Sequence, residues 1–421
     1  MTRREFLRLA GATFATAAAP AVDLRGQSID GPDPRRARPP RARLDTRFGD
    51  LRRHFIFEYY PWYGTNPYRH WEEGGHVPPI DLASNYMPKL GAYDSKATTA
   101  IEQHARWILD SGAGAINVSW WGRDSREDSV VPVLMDVMAA HGIQVTFHLE
   151  PYSERHAFNY ASDVEYLIRQ YGDRRRWDCM LMLEGADGSI GPVFKSFRTI
   201  LPARQTDCHG VVSDINDYAG DADWRQQTDR VRETFRRDFD RVTLLADSSN
   251  MDRTRASGFD GIAIYDNYVR PDSWRQLADG ASSRDLVFSF NVNPGFDGVI
   301  RRDAAPDSCY RPLPFEPPSG SYDWFRDAER ERAAAASAAR VADSFHSTVA
   351  LQTDASLANV RHGFFLVYVT SFNEWFEGHQ FEPMKGADEL TAAERAIGYH
   401  NPADGSYRLT LLKALLASVL E

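Results

Sequence analysis

The fold of this chain is decided by residues 364–383, which read FFLVYVTSFNEWFEGHQFEP. The first six residues form an unbroken apolar and aromatic run, which is typical of a strand buried on both faces. Two carboxylates, Glu374 and Glu377, follow three positions apart and stand among aromatic residues. Such rings can raise the pKa of one carboxyl while its partner stays ionised, as acid/base catalysis requires. The alternative is a loop of solvated acids, which would have no reason to hold so much apolar area.

Short apolar runs alternate with helical patterns along the rest of the chain. We expect eight strands, at residues 54–60, 115–120, 143–149, 179–183, 242–246, 261–265, 286–291 and 363–370, with 192–197 as a candidate for an additional strand. This alternation favours a parallel sheet, and eight repeats predict a single closed (β/α)8 barrel of the TIM type with long loops. A doubly wound open sheet is the alternative, but no Gly-x-Gly-x-x-Gly turn follows any of the strands.

The predicted strand ends carry the second functional signal, because reactive groups in such barrels stand at the C-terminal ends of the strands. Aromatic and hydrogen-bonding residues recur at six of the eight ends. Rings stack on the apolar faces of sugars while carboxylates and amides bind hydroxyls, so this lining predicts a carbohydrate cleft. The candidate substrate-binding residues at these ends are Tyr60, Trp62, Trp120, His148, Glu150, Tyr265, Asn373 and Trp375.

Motifs for other chemistries do not occur in the sequence. It contains no Gly-x-Ser-x-Gly elbow, no phosphate-binding Gly-x-x-x-x-Gly-Lys loop and no His-Glu-x-x-His pair. His148 with Glu150, or His379 with Glu377, offers two ligands for a metal. Because three convergent ligands cannot be assigned, we favour histidines at the rim that make hydrogen bonds. We therefore expect neither a metal nor a cofactor.

Composition and charge limit the partners. The 421 residues are 43% hydrophobic and 26% charged, which indicates a large folded core. The net charge is −10, although the first 43 residues hold nine Arg and four acids, so the body of the chain is more acidic still. An acidic body disfavours nucleic acid and anionic membrane surfaces and suits a neutral ligand. We expect an oligo- or polysaccharide partner, no membrane insertion of the mature form, and a monomer.

The N-terminus has the features of an export signal. Residues 2–8, with Arg3 and Arg4, precede an Ala-rich apolar run to Ala19 and small residues around Ala21. The order Arg-Arg-x-Phe-Leu is typical of a twin-arginine signal of a bacterial protein, with an ordinary secretory signal as the alternative. We expect a signal peptide at 1–21, a Pro/Arg-rich disordered spacer at 22–50, and a catalytic domain at 51–421. The product would be periplasmic or secreted.

The three cysteines, Cys179, Cys208 and Cys309, form no Cys-x-x-Cys pattern, and at least one must be unpaired. A bridge between Cys179 and Cys208 is one alternative. Buried free thiols are the interpretation we favour.

Several motifs together resemble the endo-α-1,2-mannosidases of glycoside hydrolase family 99. They read YYPWYG at 59–64, HW at 70–71, LGAYDS at 90–95, VSW at 118–120, HLEPY at 148–152, FDG at 259–261, PGFD at 294–297 and TSFNEWFEGHQFE at 370–382. The resemblance runs in order from His54 to Pro383. It implies a metal-independent (β/α)8 barrel that cleaves internal α-mannosyl linkages with retention.

The resemblance also implies roles for individual residues. Glu374 would take the proton from the substrate's 2-hydroxyl, which then attacks the anomeric carbon to give a 1,2-anhydro sugar. Glu377 would be the general acid/base. Spacing alone does not distinguish this route from an ordinary double displacement. The implied sugar-binding residues are Glu150, Tyr60, Trp120, Tyr265 and Arg301.

The sequence departs from the family pattern in the subsites. Residues 64–78 form a shorter loop than is usual, and Phe194-Lys195-Ser196-Phe197 stands where a Tyr-Asp-Ser-Tyr type of segment is usual. These changes leave two further hypotheses: a related barrel glycosidase acting on a different α-linked polysaccharide, and a non-catalytic glycan-binding protein. The presence of both acids argues against the last of these.

Overall fold

The computed structural model describes residues 48–152, 157–265, 269–298, 309 and 326–420. The predicted signal peptide, nearly all of the spacer and Arg301 lie outside these residues. The expectations for them stay predictions.

Eight parallel strands form the centre of the molecule. They are β1 (Phe55–Tyr59), β2 (Ala115–Trp120), β3 (Gln144–Leu149), β4 (Ile190–Ser196), β5 (Thr243–Ala246), β6 (Gly261–Ala263), β7 (Val287–Ser289 with Asn291–Val292) and β8 (Val367–Val369). Each strand pairs in parallel with the next. The first half of β7 pairs with β6 and its second half with β8, while β8 pairs with β1. The ring is therefore closed, and the predicted (β/α)8 barrel is confirmed.

The fourth strand was placed wrongly. The run at 179–183 was taken as the barrel strand, but β4 lies at Ile190–Ser196, in the segment considered an additional strand. Met182–Glu184 pairs antiparallel with β4, and Met180 forms one parallel bridge to Val145 below it. Both runs are apolar and buried, and a tight turn joins them into a hairpin. Periodicity alone does not tell which arm of such a hairpin enters the ring.

Helices follow the strands and form the outer layer. They are α1 (Thr98–Ser111), α2 (Arg126–Ala140), α3 (Tyr160–Leu167), α4 (Asp221–Phe235), α5 (Met251–Ala256), α6 (Trp274–Ser282), α7 (Asp327–Gln352), α8 (Ala358–Arg361), α9 (Ala392–Ile397) and α10 (Tyr407–Leu420). α2 begins at Ser125, whose side chain accepts from the Asp128 N–H, and α1 ends at the left-handed Gly112. α10 packs against α1 and α7, which closes the outer layer. Among the described residues, no helix combines the length and apolarity needed to cross a bilayer.

The barrel interior changes character along its axis. Alternate residues of a strand point inward, and the inward positions of the lower half belong to one apolar cluster that includes Ile56, Val193 and Leu245. Two residues further along β1 and β4 the same face carries Glu58 and Lys195, both fully buried. The lower half of the barrel is therefore filled by apolar side chains, and the charged side chains lie towards the C-terminal end.

A disulfide joins Cys208 to Cys309, whose Cα atoms are 5.5 Å apart. The preference for free thiols was therefore wrong for these two residues. Cys208 follows β4 and Cys309 follows β7, so a pairing across the barrel left no local signal in the sequence. Cys179 is free and buried, as expected, and burial raises the pKa of its thiol to about 12.

Candidate active site

The loop after β8 holds both predicted catalytic acids. Glu374 is buried, and its N–H donates to the Ser371 hydroxyl at 2.8 Å. The same hydroxyl lies 2.9 Å from His379 Nδ1, and His379 Nε2 lies 2.7 Å from Glu377 Oε2. Ser371 and His379 thus connect the backbone of one acid to the carboxyl of the other.

Two phenols extend this network across the mouth. Tyr265, which follows β6, donates to Glu377 Oε2 at 3.2 Å, and Tyr60, which follows β1, donates to the Tyr265 hydroxyl at 2.9 Å. Burial and the nearby carboxylates raise the pKa of both phenols well above the usual value. Both therefore keep their protons and act as donors. The structure brings these two predicted residues into contact with each other and with Glu377.

The turn after Glu377 is fixed by its backbone. Gly378 has φ of +71°, and a Cβ there would lie 2.0 Å from the Asp297 carbonyl oxygen. The Asp297 N–H donates to the Glu377 carbonyl at 3.0 Å. Arg408, on α10, donates to the carbonyls of Gly378 and Gln380. The carboxyl of Glu377 is therefore presented by a turn held from both sides.

Asn373 and Trp375 have structural partners beneath the mouth. The Asn373 amide accepts from the Tyr60 N–H at 2.8 Å and donates to the Tyr60 carbonyl at 3.0 Å, which ties the β8 loop to the end of β1. The Trp375 indole is fully buried and donates to Glu382. Both residues orient the loop after β8, and sugar binding by either one stays a prediction.

The indoles of Trp120, the last residue of β2, and of Trp121 point in different directions. Trp120 is fully buried, donates to Asp128 at 2.7 Å and stacks on Tyr166 towards the helices. Trp121 is partly exposed and lies 6.3 Å from Trp62, ring centre to ring centre. Sugar binding by Trp120 stays a prediction, but Trp121 is the indole beside the cleft aromatics.

A buried charged cluster lies below the phenols. Glu58 contacts Lys195 Nζ at 2.5 Å and His148 Nδ1 at 2.9 Å. His148 Nδ1 is also 3.6 Å from Glu150, which accepts from Ser119 at 2.8 Å. Burial raises the pKa of Glu58, but the charge of Lys195 and the hydrogen bonds that Glu58 accepts outweigh burial and bring that pKa to about 2. Glu58 is therefore ionised at any working pH.

Sequence reasoning missed three residues of this site, Glu58, Lys195 and Ser371, and it considered His379 beside Glu377 without finding its link to Ser371. For Glu58 and Lys195 a signal exists, since each is a charged residue at an inward position of an otherwise apolar strand. For Ser371 and His379 the signal is weak. Their contact depends on the turn at Gly378, and only its glycine marks that turn in the sequence.

The arrangement suits acid/base chemistry on a glycosidic bond. Two carboxyl groups stand on one loop, phenols supply hydrogen-bond donors, and aromatic rings line the entrance. Hydrolysis of glycosides requires such a pair of acids in a cleft that can also hold sugar rings.

Comparisons with known proteins agree with this chemistry. The model of glycosyl hydrolase family 99 matches residues 52–179. The glycoprotein endo-alpha-1,2-mannosidase of Mus musculus is 27% identical over 383 residues, covering 82% of this chain and 71% of the relative. A glycoprotein endo-alpha-1,2-mannosidase-like protein of Homo sapiens is 25% identical, covering 82% and 72%.

A solved structure has the same fold. It is the GH99 endo-alpha-mannosidase from Bacteroides thetaiotaomicron, with a TM-score of 0.60 and 21% identity, covering 87% of this chain and 97% of that one. The fold, the site and the relatives define the chain as a glycoside hydrolase. Within that class, its relatives are those of family 99, and the resemblance seen in the sequence is confirmed.

Proposed function

We propose that this chain is an endo-acting α-mannosidase that hydrolyses internal α-mannosidic linkages with retention of configuration. The names of the relatives in family 99 support the linkage class. The observation that carries the proposal is Glu377, hydrogen-bonded by Tyr265 and His379 on the loop that also holds Glu374. That environment suits a carboxyl that must exchange a proton twice in each turnover.

The proposed reaction uses the substrate's own 2-hydroxyl. Glu374 takes the hydroxyl proton, and the oxygen attacks the anomeric carbon as the glycosidic bond breaks. Glu377 gives its proton to the leaving oxygen. It then takes a proton from water, which opens the 1,2-anhydro ring at the anomeric carbon, while Glu374 returns its proton to O2. Two inversions at one carbon give retention.

The cleft residues have complementary roles in this proposal. Tyr60, Tyr265 and Glu150 would bind sugar hydroxyls close to the cleaved bond, and Trp62 would stack on a sugar face. Arg301, which lies outside the described residues, would also bind sugar. His148 would bind a hydroxyl from below.

The first test is proton NMR of the mature protein with α-mannan and with glucosyl-mannosyl oligosaccharides. An α-anomer that appears first, from an internal cut, is the expected result. A β-anomer appearing first would contradict retention. The absence of product on both substrates would contradict the α-mannosidase assignment and favour another α-linked polysaccharide.

The second test replaces the general acid/base. Glu377→Gln should lower kcat/KM at least about 100-fold, because general acid–base catalysis contributes that much, while glycan binding is kept. The matched control is Glu331→Gln on the exposed surface of α7. Near-full activity of Glu377→Gln would overturn the assignment. A wild type that binds glycan without turnover, and whose binding changes little on this substitution, would instead be a non-catalytic glycan-binding protein.

We also propose export through a twin-arginine signal at residues 1–21, to the periplasm or the medium. The disulfide between Cys208 and Cys309 supports an oxidising compartment. Replacing Arg3 and Arg4 with Lys should strand the protein in the cytoplasm. Unchanged export of that variant would indicate an ordinary secretory signal instead.

A further inference from the structure

The buried pair of Lys195 and Glu58 is not explained by the acid/base chemistry. Both side chains are fully buried, and their charged atoms lie 2.5 Å apart. The Lys195 ammonium also lies 4.6 Å from the ring centre of Tyr368 and 5.2 Å from that of Tyr265. An ion pair at this depth contributes little net stability, because desolvation offsets the attraction. Stability alone therefore does not explain why this ion pair is present.

Glu58 determines which nitrogen of His148 carries the hydrogen. An ionised carboxylate accepts hydrogen bonds and cannot donate them. Because Glu58 lies 2.9 Å from His148 Nδ1, that nitrogen must be the donor. Lys195 already balances the charge of Glu58, so the imidazole needs no second proton. In its neutral form, His148 therefore carries its hydrogen on Nδ1 and a lone pair on Nε2.

His148 Nε2 lacks a hydrogen-bond partner among the described residues, although the side chain is almost completely buried. Its ring stands at 5.8 Å from Phe197 and 6.0 Å from Tyr265, both of which follow the C-terminal ends of strands. An unpaired buried acceptor costs about 1–3 kcal/mol. A sugar hydroxyl in the mouth would supply the missing donor.

We propose that Lys195 is a positioning residue, which keeps Glu58 charged and so holds His148 in the form that accepts a hydrogen bond from a sugar hydroxyl. The use of that acceptor by a sugar rests on the proposed function. The position of the hydrogen on Nδ1 of His148 does not depend on the proposed function. Without Lys195, buried Glu58 would take up a proton in the working range of pH, and a protonated Glu58 would donate to Nδ1. The hydrogen would then move to Nε2, and the acceptor would be lost.

Other charged groups face this cluster and have been considered. Glu150 approaches His148 from the end of β3. Asp247 follows β5; burial raises its pKa, whereas Lys195 and the hydrogen bond from the Tyr265 N–H lower it. Tyr265 and Tyr368 approach from β6 and β8 and keep their protons, since burial raises the pKa of each. Among these groups, Lys195 is the lysine, and it contacts Glu58 directly. Replacing Lys195 therefore affects Glu58 first.

The direct test is ¹⁵N NMR of histidine-labelled protein, with the His148 signals identified from their loss in His148→Gln. Wild-type protein at neutral pH should show a neutral ring protonated at Nδ1. A hydrogen on Nε2, or a doubly protonated ring at neutral pH, would overturn the proposal. This measurement needs no turnover, so it stands apart from the proposed function.

The second test uses Lys195→Met and the double variant Glu58→Gln with Lys195→Met. Lys195→Met should raise KM about tenfold at the acid end of the profile, the effect of one lost hydrogen bond, with kcat much less affected. The double variant has no ionisable group at 58 and should lose this pH dependence. Lys413→Met, which removes an exposed lysine paired with Asp110, is the matched control. A uniform loss of activity without a pH-dependent KM in Lys195→Met would overturn the proposal. If that variant does not fold, the wild-type NMR result decides.

Discussion

At the scale of single residues, His379 connects the two acids that we propose to be catalytic. It is fully buried, and its two nitrogens reach the Ser371 hydroxyl and the Glu377 carboxyl. Because Ser371 also accepts from the Glu374 N–H, a change at His379 should disturb the placement of both acids.

His379→Phe keeps the ring and removes both hydrogen bonds. We expect kcat to fall about 100-fold with a small change in KM, because misplacing a reacting group by about 1 Å has an effect of that size. Steady-state kinetics measures it, with His362→Phe, an exposed histidine paired with Asp285, as the control. A variant that changes KM alone would contradict a role in orienting Glu377.

Asp297 makes a pH-dependent contribution to stability. Burial raises its pKa from 3.8 to about 6, although hydrogen bonds from Tyr86 and Asn85 and the charge of Arg408 lower it. Since the folded pKa lies above the unfolded one, the contribution is present below pH 3.8 and is lost as pH rises through 6.

Asp297→Asn should remove that dependence. The unfolding free energy of wild type relative to the variant should fall by about 2–3 kcal/mol between pH 4 and pH 7. Urea unfolding across that range measures the difference. A constant difference, or one that grows with pH, would show that Asp297 is not a buried carboxyl of raised pKa.

Residue identity and strand position were enough to find much of this site. Glu374, Glu377, Tyr60 and Tyr265 were predicted as parts of one cleft, and the structure places them around the same mouth. The partners of these residues were harder to predict, because Lys195 and Glu58 meet across the barrel from strands far apart in sequence. No local pattern encodes such a pair.

At the scale of elements, the turn after Glu377 is the most constrained part of the β8 loop. Gly378 combines a left-handed backbone with a close approach to the Asp297 carbonyl. Gly142, by contrast, has φ of +70° and no atom within 4 Å of its missing Cβ. Comparing substitutions at the two glycines therefore separates the effect of backbone strain, which applies to both, from that of steric overlap, which applies to Gly378.

Gly378→Ala should destabilise the protein by more than about 2 kcal/mol and abolish most activity, because both the strain and the overlap apply. Gly142→Ala should cost only about 1–2 kcal/mol, from the strain alone, with activity kept. Thermal unfolding and kcat/KM of both variants test the comparison. Equal effects in the two variants would mean that the approach to Asp297 is unimportant.

Elements were predicted well where periodicity was long and local. β2 was placed at its observed bounds, and β3 and β5 each begin one residue after their predicted starts. The fourth strand was misassigned because both arms of a hairpin are buried apolar runs, although only one of them is a strand of the barrel. The choice between them is made by pairing with β3, which is a tertiary contact.

At the scale of the whole molecule, the disulfide joins the segments that follow β4 and β7. Its two cysteines are 101 residues apart, so the bond restrains a long stretch of the unfolded chain. Disulfides typically stabilise a folded protein by about 2–4 kcal/mol, and the loss of chain entropy for a loop of this length sets an upper value of roughly 5 kcal/mol.

Replacing Cys208 and Cys309 together with Ser should lower the free energy of unfolding by about that amount. Adding a reductant should shift the unfolding of wild type to that of the variant, while the variant itself does not respond. Chemical unfolding with and without reductant gives both values. A reductant effect on the double variant would point to the free Cys179 instead.

The closure of the ring between β1 and β8 has a consequence for biosynthesis. Phe55 pairs with Val367, so the first strand of the barrel obtains its second neighbour only when the last strand has been made. Until then β1 is an apolar edge with unpaired N–H and C=O groups, a form that invites aggregation. A chain that ends before residue 364 would keep seven strands and two such edges. We therefore expect the truncated chain to stay bound to a chaperone, whereas the complete chain folds and is released.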